Sequence, residues 1–234
     1  MRLSCCLALA LLQSAVAPDP SGGWLSYAIF EAAPTDIITT LSATMSVPDE
    51  PTQGGAEPAF WFGVQTHDGD GALVQPIQAK YIDGRWEMFH EIFDWTTGRD
   101  SASSHFAVPA GDSVWAQVAY RASDNSYDMD MLSQKTGKRV TFNYQLQKRQ
   151  HATEATAYFV LEHQPRSCDE LPPNGLVTWS NITVEVNNKK VAAPSFKAME
   201  EEPICGSKVE IVSPEEITLS WDAKAAAAAV EEAA

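Results

Sequence analysis

Residues 113–121, Ser-Val-Trp-Ala-Gln-Val-Ala-Tyr-Arg, decide the fold class of this chain because apolar and more polar side chains alternate along them. Val114 and Val118 fall on one face of such a segment, while Trp115 and Arg121 fall on the other. A period of two residues is typical of a β-strand with one buried face. The stretch therefore predicts a strand of a half-buried, antiparallel sheet.

Similar strand-like runs lie on both sides of this segment and are separated by short turns. The runs cover residues 60–64, 73–81, 86–95, 127–131, 140–146, 157–162, 177–186, 209–212 and 217–221. Turn-forming pairs such as Asp83-Gly84, Thr136-Gly137 and Asn174-Gly175 stand between them. Many short strands with this spacing predict one all-β domain over residues 18–222, built as an antiparallel sandwich or barrel.

The composition fits a single acidic domain. The 234 residues include 31 acidic and 16 basic side chains, which gives a formal net charge of −15, and 44% of the residues are hydrophobic. A chain of this size and apolar content can bury a full core. Its negative surface repels phosphates, so nucleic acid is not an expected partner.

The two ends of the chain differ in composition from the domain between them. Residues 1–17 have the features of a secretory signal peptide: Arg2, a short apolar run over residues 3–12, and small residues at Ala15-Val16-Ala17. An uncleaved anchor or a buried helix is the alternative. The Ala- and Glu-rich tail, residues 223–234, is predicted to be a frayed helix or disordered and is assigned no function. We expect a secreted, extracellular monomer that does not contact a membrane after signal cleavage.

Secretion also determines how the cysteines are interpreted. Cys168 and Cys205 remain after signal removal, and an even count outside the cytosol predicts one disulfide rather than two buried thiols.

Asn181-Ile182-Thr183 is an N-glycosylation sequon, which makes Asn181 a candidate acceptor. The five histidines show no metal-ligand spacing, and residues 68–71 indicate a hairpin turn rather than a calcium loop. We therefore expect no metal and no cofactor.

The remaining candidate chemistry uses carboxylates, amides and aromatic rings. The pairs Glu87/Glu91 and Glu91/Asp94, and Glu162 with a partner from another strand, are possible acid–base groups. Two carboxylates, such as Glu91 and Glu162, would suit a glycoside hydrolase. Strand tryptophans are mostly core residues, but Trp61 and Trp115 are predicted to line a groove; exposed aromatics there would also suit a non-catalytic, sugar- or protein-binding sandwich.

Five segments, read in order, carry a more specific signal. They are Phe60-Trp61-Phe62-Gly63-Val64-Gln65, Ala72-Leu73-Val74-Gln75, Phe89-His90-Glu91-Ile92-Phe93, Gly111-Asp112-Ser113-Val114 and Ala157-Tyr158-Phe159-Val160-Leu161-Glu162. The chain resembles the glutamic peptidases, or eqolisins, in the order of these motifs from residue 24 to about residue 221. The resemblance implies a concanavalin A-like β-sandwich with curved sheets and a secreted acid endopeptidase that acts on polypeptides.

The resemblance also assigns roles to individual residues. It implies that Gln75 and Glu162 are catalytic, with Glu162 activating a water molecule and the Gln75 amide stabilising the oxyanion. It places Trp61, Phe89 and Glu91 in the substrate groove. Gln65 stands at a groove position where many members carry Asp, and Tyr158 stands where members often carry Glu.

Overall fold

The computed structural model describes residues 23–51, 57–66, 71–80, 84–162, 167–200 and 204–225. The predicted signal peptide, most of the predicted tail and most of the predicted turn at residues 68–71 lie outside these ranges. Within them the chain forms two antiparallel sheets and two 3₁₀ turns but no α-helix. No helix in the described ranges is long and apolar enough to cross a membrane.

The first sheet contains eight strands and carries the candidate site. Its strands, in spatial order, are β14 (Lys197–Glu200), β1 (Trp24–Glu31), β11 (Thr156–Glu162), β3 (Ala59–Gln65), β4 (Ala72–Lys80), β5 (Trp86–Asp94) and β6 (Arg99–Ala102), with β7 (Phe106–Val108) also paired to β5. The strands β3, β4 and β5 follow one another along the chain and pair as neighbours. β11 returns from far along the sequence to pair with both β1 and β3.

The second sheet also contains eight strands and lies against one face of the first. Its strands, in spatial order, are β10 (Arg139–Gln145), β9 (Ser126–Ser133), β8 (Ser113–Arg121), β2 (Ile38–Ser46), β12 (Leu176–Val186), β16 (Glu216–Ser220) and β15 (Lys208–Ser213), with β13 (Lys189–Lys190) paired to β12. The prediction of an antiparallel β-sandwich is therefore confirmed, and residues 113–121 form β8 as the alternation indicated.

The main core fills the space between the two sheets. Phe62 and Phe159 of the first sheet stack with ring centroids 5.6 Å apart, and Trp179 of the second sheet packs edge-on against Phe159 at 6.0 Å. All three side chains are buried. Burial of large apolar side chains from both sheets is the main force that holds the layers together.

A second apolar cluster covers the outer face of the first sheet. It contains Trp24, Tyr27, Trp61, Leu73, Ile77, Ala79, Phe89, Tyr158 and Val160. Phe159 and Leu161 of β11 belong to the main core, while Tyr158 and Val160 of the same strand belong to this outer cluster. Because side chains alternate along β11, Glu162 follows Val160 onto the outer face.

The predicted disulfide is present between Cys168 and Cys205, with Cα atoms 5.4 Å apart. Each cysteine lies in one of the two 3₁₀ turns, Cys168–Glu170 and Ile204–Gly206. The bond connects the segment before β12 with the segment before β15, and both half-cystines are buried. It therefore ties the C-terminal strands to the body of the sandwich.

Candidate active site

Four neighbouring strands of the first sheet place polar side chains on the same outer face. Glu162 ends β11, Trp61 lies on β3, Gln75 lies on β4 and Glu91 lies on β5. Gln75 and Glu91 are register partners, so they stand directly opposite each other across β4 and β5. The register of β3 and β4 places Gly63 beside Gln75. Sheet pairing thus converts positions far apart in sequence into one row of neighbours.

These side chains line a single pocket of about 360 Å³. Its walls are formed by Trp24, Trp61, Leu73, Gln75, Glu91, Phe93, Trp95 and Glu162. The polar groups are confined to the two carboxyls, the amide and the indole N–H groups, and the remaining lining is apolar. A mainly apolar pocket with a few convergent polar groups is typical of a binding or catalytic site.

Glu162 is held by the side chain of Trp61. The Trp61 Nε1–H donates a hydrogen bond to Glu162 Oε2 at 2.9 Å. The Trp61 ring is fully buried and packs edge-on against Trp24 with centroids 5.0 Å apart. A donor fixed in this way restricts the orientation of the carboxyl group.

Gln75 is buried and is held by Glu91. Its Nε2 donates a hydrogen bond to Glu91 Oε1 at 3.1 Å, while its Oε1 has no hydrogen-bond partner among the described residues. Gly63 makes room for this side chain, since a Cβ at that position would lie 3.1 Å from Gln75 Cβ and 2.6 Å from the Val74 carbonyl oxygen. A glycine in a strand interior often marks such a close approach.

The pKa of Glu91 is raised to about 7, first by burial and then by the negative charges of Asp100 and Glu162, against the lowering effect of the hydrogen bond from Gln75. A carboxyl group with this pKa is largely neutral in acid and ionises near neutral pH. A perturbed carboxyl in a pocket, coupled to a second carboxyl, is a common property of catalytic sites.

Two predicted groove residues lie on the same face but do not line the pocket. Phe89 is buried in the outer cluster and stacks on His105 with ring centroids 4.1 Å apart. Gln65 is buried at the end of β3, where its register partners are Thr156 and Leu73. Both belong to the surroundings of the pocket rather than to its wall.

The placement of Trp115 in the groove was wrong. Trp115 lies on β8 in the second sheet, where its register partners are Thr44 and Leu132. Val114 and Ala116 point into the main core, so the alternation turns Trp115 to the outer face of its own sheet. The sandwich therefore separates Trp115 from the pocket.

The other carboxylate pairs considered from the sequence do not converge on the pocket. Glu87 lies on β5 near His105, whose Nδ1 is 3.2 Å from its Oε2. Asp94 accepts hydrogen bonds from Gln147 Nε2 at 2.8 Å and from the Thr96 N–H at 2.9 Å. Glu91 and Glu162 remain the two carboxyl groups of the pocket lining.

Sequence reasoning did not assign four wall residues, namely Trp24, Leu73, Phe93 and Trp95. Two of them carried a usable signal, because Leu73 stands two positions before Gln75 and Phe93 two positions after Glu91, which places each on the outer face. Trp24 and Trp95 stand at or beyond strand ends, where alternation gives no direction. Among the described residues, no cluster of His, Cys, Asp or Glu has the geometry of a metal site.

The fold is an antiparallel β-sandwich, and the pocket on the outer face of its first sheet contains two carboxyl groups and one amide. The chain belongs to the peptidase A4 family, the eqolisins, whose sequence profile matches residues 23–221. The resemblance noted from the five ordered motifs is thereby confirmed, and the chain is a peptidase by family. No protein of curated function matches the sequence significantly.

Solved structures of the same family share the fold. Scytalido-glutamic peptidase with a transition-state analogue inhibitor is similar at a TM-score of 0.62 and 19% identity, over 85% of this chain and 98% of that chain. SCP-B, an eqolisin solved with the tripeptide Ala-Ile-His, is similar at a TM-score of 0.57 and 18% identity, over 85% of this chain and 98% of that chain. These likenesses establish a common β-sandwich.

Proposed function

We propose that this chain is a secreted acid endopeptidase that hydrolyses peptide bonds with a water molecule activated by Glu162 and Gln75. The observation that carries the proposal is that Glu162 and Gln75, from strands far apart in sequence, line the same pocket. Each is held by a separate partner, Glu162 by Trp61 and Gln75 by Glu91. A polypeptide substrate would enter along the outer face of the first sheet.

The proposed reaction needs only the groups present in the pocket. Ionised Glu162 removes a proton from the attacking water as the water oxygen bonds to the peptide carbonyl carbon. The carbonyl oxygen becomes an oxyanion, which an N–H of the Gln75 amide stabilises. Glu162 then returns the proton to the departing amine, and the C–N bond breaks. The site regains its starting protonation state without a covalent intermediate.

The electrostatics of the pocket support activity in acid. The negative charges of Asp100 and Glu162 both disfavour the ionised form of Glu91. Because the pKa of Glu91 is raised to about 7, acid neutralises this group and leaves a proton-accepting role to Glu162. Family membership favours this use of the two pocket carboxyls over the glycoside hydrolase or sugar-binding alternatives.

Secretion is part of the same proposal. The Cys168–Cys205 disulfide supports an oxidising environment, and the signal-like composition of residues 1–17 supplies a route to it. Asn181 is exposed at an irregularity of β12, where its φ is 54°. We propose that Asn181 carries the N-linked glycan when the chain passes through a glycosylating pathway.

The test is cleavage of a denatured protein between about pH 2 and 6 by the purified chain and four variants. We expect Glu162→Gln and Gln75→Ala to lose activity by about 10² to 10⁴-fold, the range for loss of an acid–base or oxyanion group. Glu210→Gln and Gln117→Ala, on the second sheet, are the matched controls and should cleave normally. Unchanged cleavage in both site variants would remove the assignment.

A further inference from the structure

Only one end of the Gln75 side-chain amide has a hydrogen-bond partner among the described residues. Its Nε2 donates to Glu91 Oε1 at 3.1 Å. Its Oε1 is buried and has no hydrogen-bond partner among the described residues. The amide thus commits a donor to Glu91 and leaves an acceptor uncommitted. A buried acceptor without a partner is unfavourable, which favours an alternative arrangement in which Gln75 Oε1 accepts a hydrogen bond.

This orientation is the less suitable one for the proposed reaction. An oxyanion is stabilised by donors, and the amide of glutamine carries its donors only on Nε2. With Nε2 directed to Glu91, at least one N–H is occupied by a carboxylate. A rotation of about 180° around the last side-chain bond exchanges the two ends without changing the volume that the amide fills.

The surroundings of Glu91 determine whether it can accept or donate. The described groups that face it are Gln75 on β4, Glu162 at the end of β11, and Asp100 on β6, whose Ala102 is the register partner of Glu91. Both charged neighbours, Glu162 and Asp100, are acidic, so they disfavour a negative charge on Glu91. Burial disfavours the ionised form of Glu91 as well. In acid the carboxyl group is neutral, and a neutral carboxyl has an O–H to donate.

We propose that Glu91 is a positioning residue: its neutral form donates an O–H hydrogen bond to Gln75 Oε1 and so turns Nε2 away from itself to serve the oxyanion. The ionised form accepts from Nε2, which is the contact seen at 3.1 Å, and holds the amide in the less productive orientation. No proton is gained or lost by Gln75 in this exchange. The inference rests on the proposed function for its consequence, but the orientation of the amide can be measured without catalysis.

The direct test is neutron diffraction from deuterium-exchanged crystals of the wild-type protein at about pH 5 and about pH 9, on either side of the range in which Glu91 titrates. Deuterium distinguishes the ND₂ end of the amide from the oxygen. We expect a deuterated Glu91 carboxyl facing the Gln75 oxygen at the lower pH and the ND₂ group facing Glu91 at the higher pH. The same amide orientation at both values would overturn the proposal.

A kinetic test separates positioning from packing. Glu91→Gln offers an N–H to Gln75 at every pH. In the pH profile of kcat/KM, the alkaline limb should therefore shift to higher pH by about one unit or more, while the acid limb stays at the same pH. Glu91→Ala should lower kcat by about tenfold or more with little change in KM, and Glu91→Gln should restore it. Glu87→Gln, on the same strand but outside the pocket, is the control.

The outcomes distinguish the two proposals. An alkaline limb that is identical in wild type and Glu91→Gln would contradict the positioning role even if cleavage by Glu162 is established. A wild-type protein that cleaves nothing would remove the proposed function, while the neutron maps would still decide how the Gln75 amide responds to Glu91.

Discussion

At the scale of single residues, the pocket depends on hydrogen bonds that fix the direction of two flexible side chains. Glu162 and Gln75 each have several rotatable bonds, and each is restrained by one neighbour, Trp61 and Glu91 respectively. For Glu162, restraint by Trp61 before substrate binding lowers the entropic cost of reaching a reactive geometry. For Gln75, the restraint by Glu91 decides which end of the amide is available to the oxyanion. The partner residues should therefore affect the rate more than they affect substrate binding.

Replacement of Trp61 by Phe tests this for Glu162. The variant keeps an aromatic ring but loses the Nε1–H that donates to Glu162 at 2.9 Å. A hydrogen bond to a charged group contributes about 1.5–3 kcal/mol, so kcat/KM should fall by about 10- to 100-fold. Steady-state kinetics on one peptide, with near-UV circular dichroism to verify the fold, provide the measurement.

Trp115→Phe is the matched control for that experiment. Trp115 lies on the outer face of the second sheet, so the loss of its indole N–H should leave kcat/KM unchanged. Equal losses in the two tryptophan variants would show that Trp61 acts through general packing rather than through Glu162.

At the scale of strands, Gly63 links β3 to the position of Gln75. Trp61 and Gly63 lie on the same face of β3, but only Trp61 carries a side chain there. The missing side chain lets the Val74 carbonyl oxygen and the Gln75 side chain approach the β3 backbone. A catalytic side chain on a paired strand is positioned precisely because the strand pairing is rigid.

Gly63→Ala should therefore reduce both stability and activity. The added Cβ would lie 2.6 Å from the Val74 carbonyl oxygen, so β3 and β4 must separate. Overpacking of this kind costs about 1–3 kcal/mol, and the displaced Gln75 should lower kcat/KM beyond the loss of folded protein. Urea unfolding and kinetics at a temperature where the variant is folded measure the two effects.

Gly137→Ala provides the comparison for Gly63. Gly137 has a φ of 69°, and a Cβ added there would meet nothing within 4 Å, so its substitution strains the backbone by about 1–2 kcal/mol without steric contact. It should lose stability but keep full kcat/KM in the folded state. A Gly63 variant with the same activity as this control would contradict the positional role of β3.

How well the sequence predicts a strand depends on whether one face or both faces of that strand are buried. The clean alternation of residues 113–121 predicted β8 because one face is buried and the other is not. β1 was not predicted, since Trp24 to Ala28 are all buried and show no period of two. Alternation gives the face of Trp115 but not its sheet, because nothing in a local pattern specifies which distant strands will pair.

The candidate site was also predicted only in part: its residues were identified from the sequence, but their interactions were not. The ordered motifs identified Glu162, Gln75, Trp61 and Glu91, all of which line the pocket. Their mutual hydrogen bonds, and the pKa of Glu91, depend on cross-strand register and burial, which single-sequence patterns do not contain. The disulfide was predictable from the cysteine count, because only one pairing is available within the domain.

At the scale of the whole molecule, two adjacent residues on opposite faces of β5 give opposite responses to pH. His90 points into the main core, and burial lowers its pKa to about 4, although its Nε2 contacts the Val140 carbonyl oxygen at 3.1 Å. Unfolding lets His90 protonate, so its contribution is lost as pH falls from about 6.5 to about 4. The raised pKa of Glu91 works in the other direction, since stability is lost as pH rises from about 4.5 to about 7.

Glu91→Gln isolates the second response. A pKa raised from 4.5 to about 7 lowers the free energy of unfolding of the wild type by up to about 3 kcal/mol between acid and alkaline pH. The variant has no carboxyl group at position 91, so its free energy of unfolding does not fall for this reason. Relative to wild type, Glu91→Gln should therefore gain stability as pH rises to about 8. Urea unfolding over the pH range, with exposed Glu210→Gln as control, measures the difference. Parallel stability curves for wild type and Glu91→Gln would contradict the raised pKa.

The most direct measurement of the central claim is a double-mutant cycle on kcat/KM with Glu162→Gln, Gln75→Ala and the double variant. If the carboxyl and amide groups act on one water and one carbonyl, the double variant should be about as slow as the slower single variant, because groups that act as a unit are non-additive. Full additivity of the two losses, or normal cleavage in either single variant, would contradict a shared catalytic role for Glu162 and Gln75.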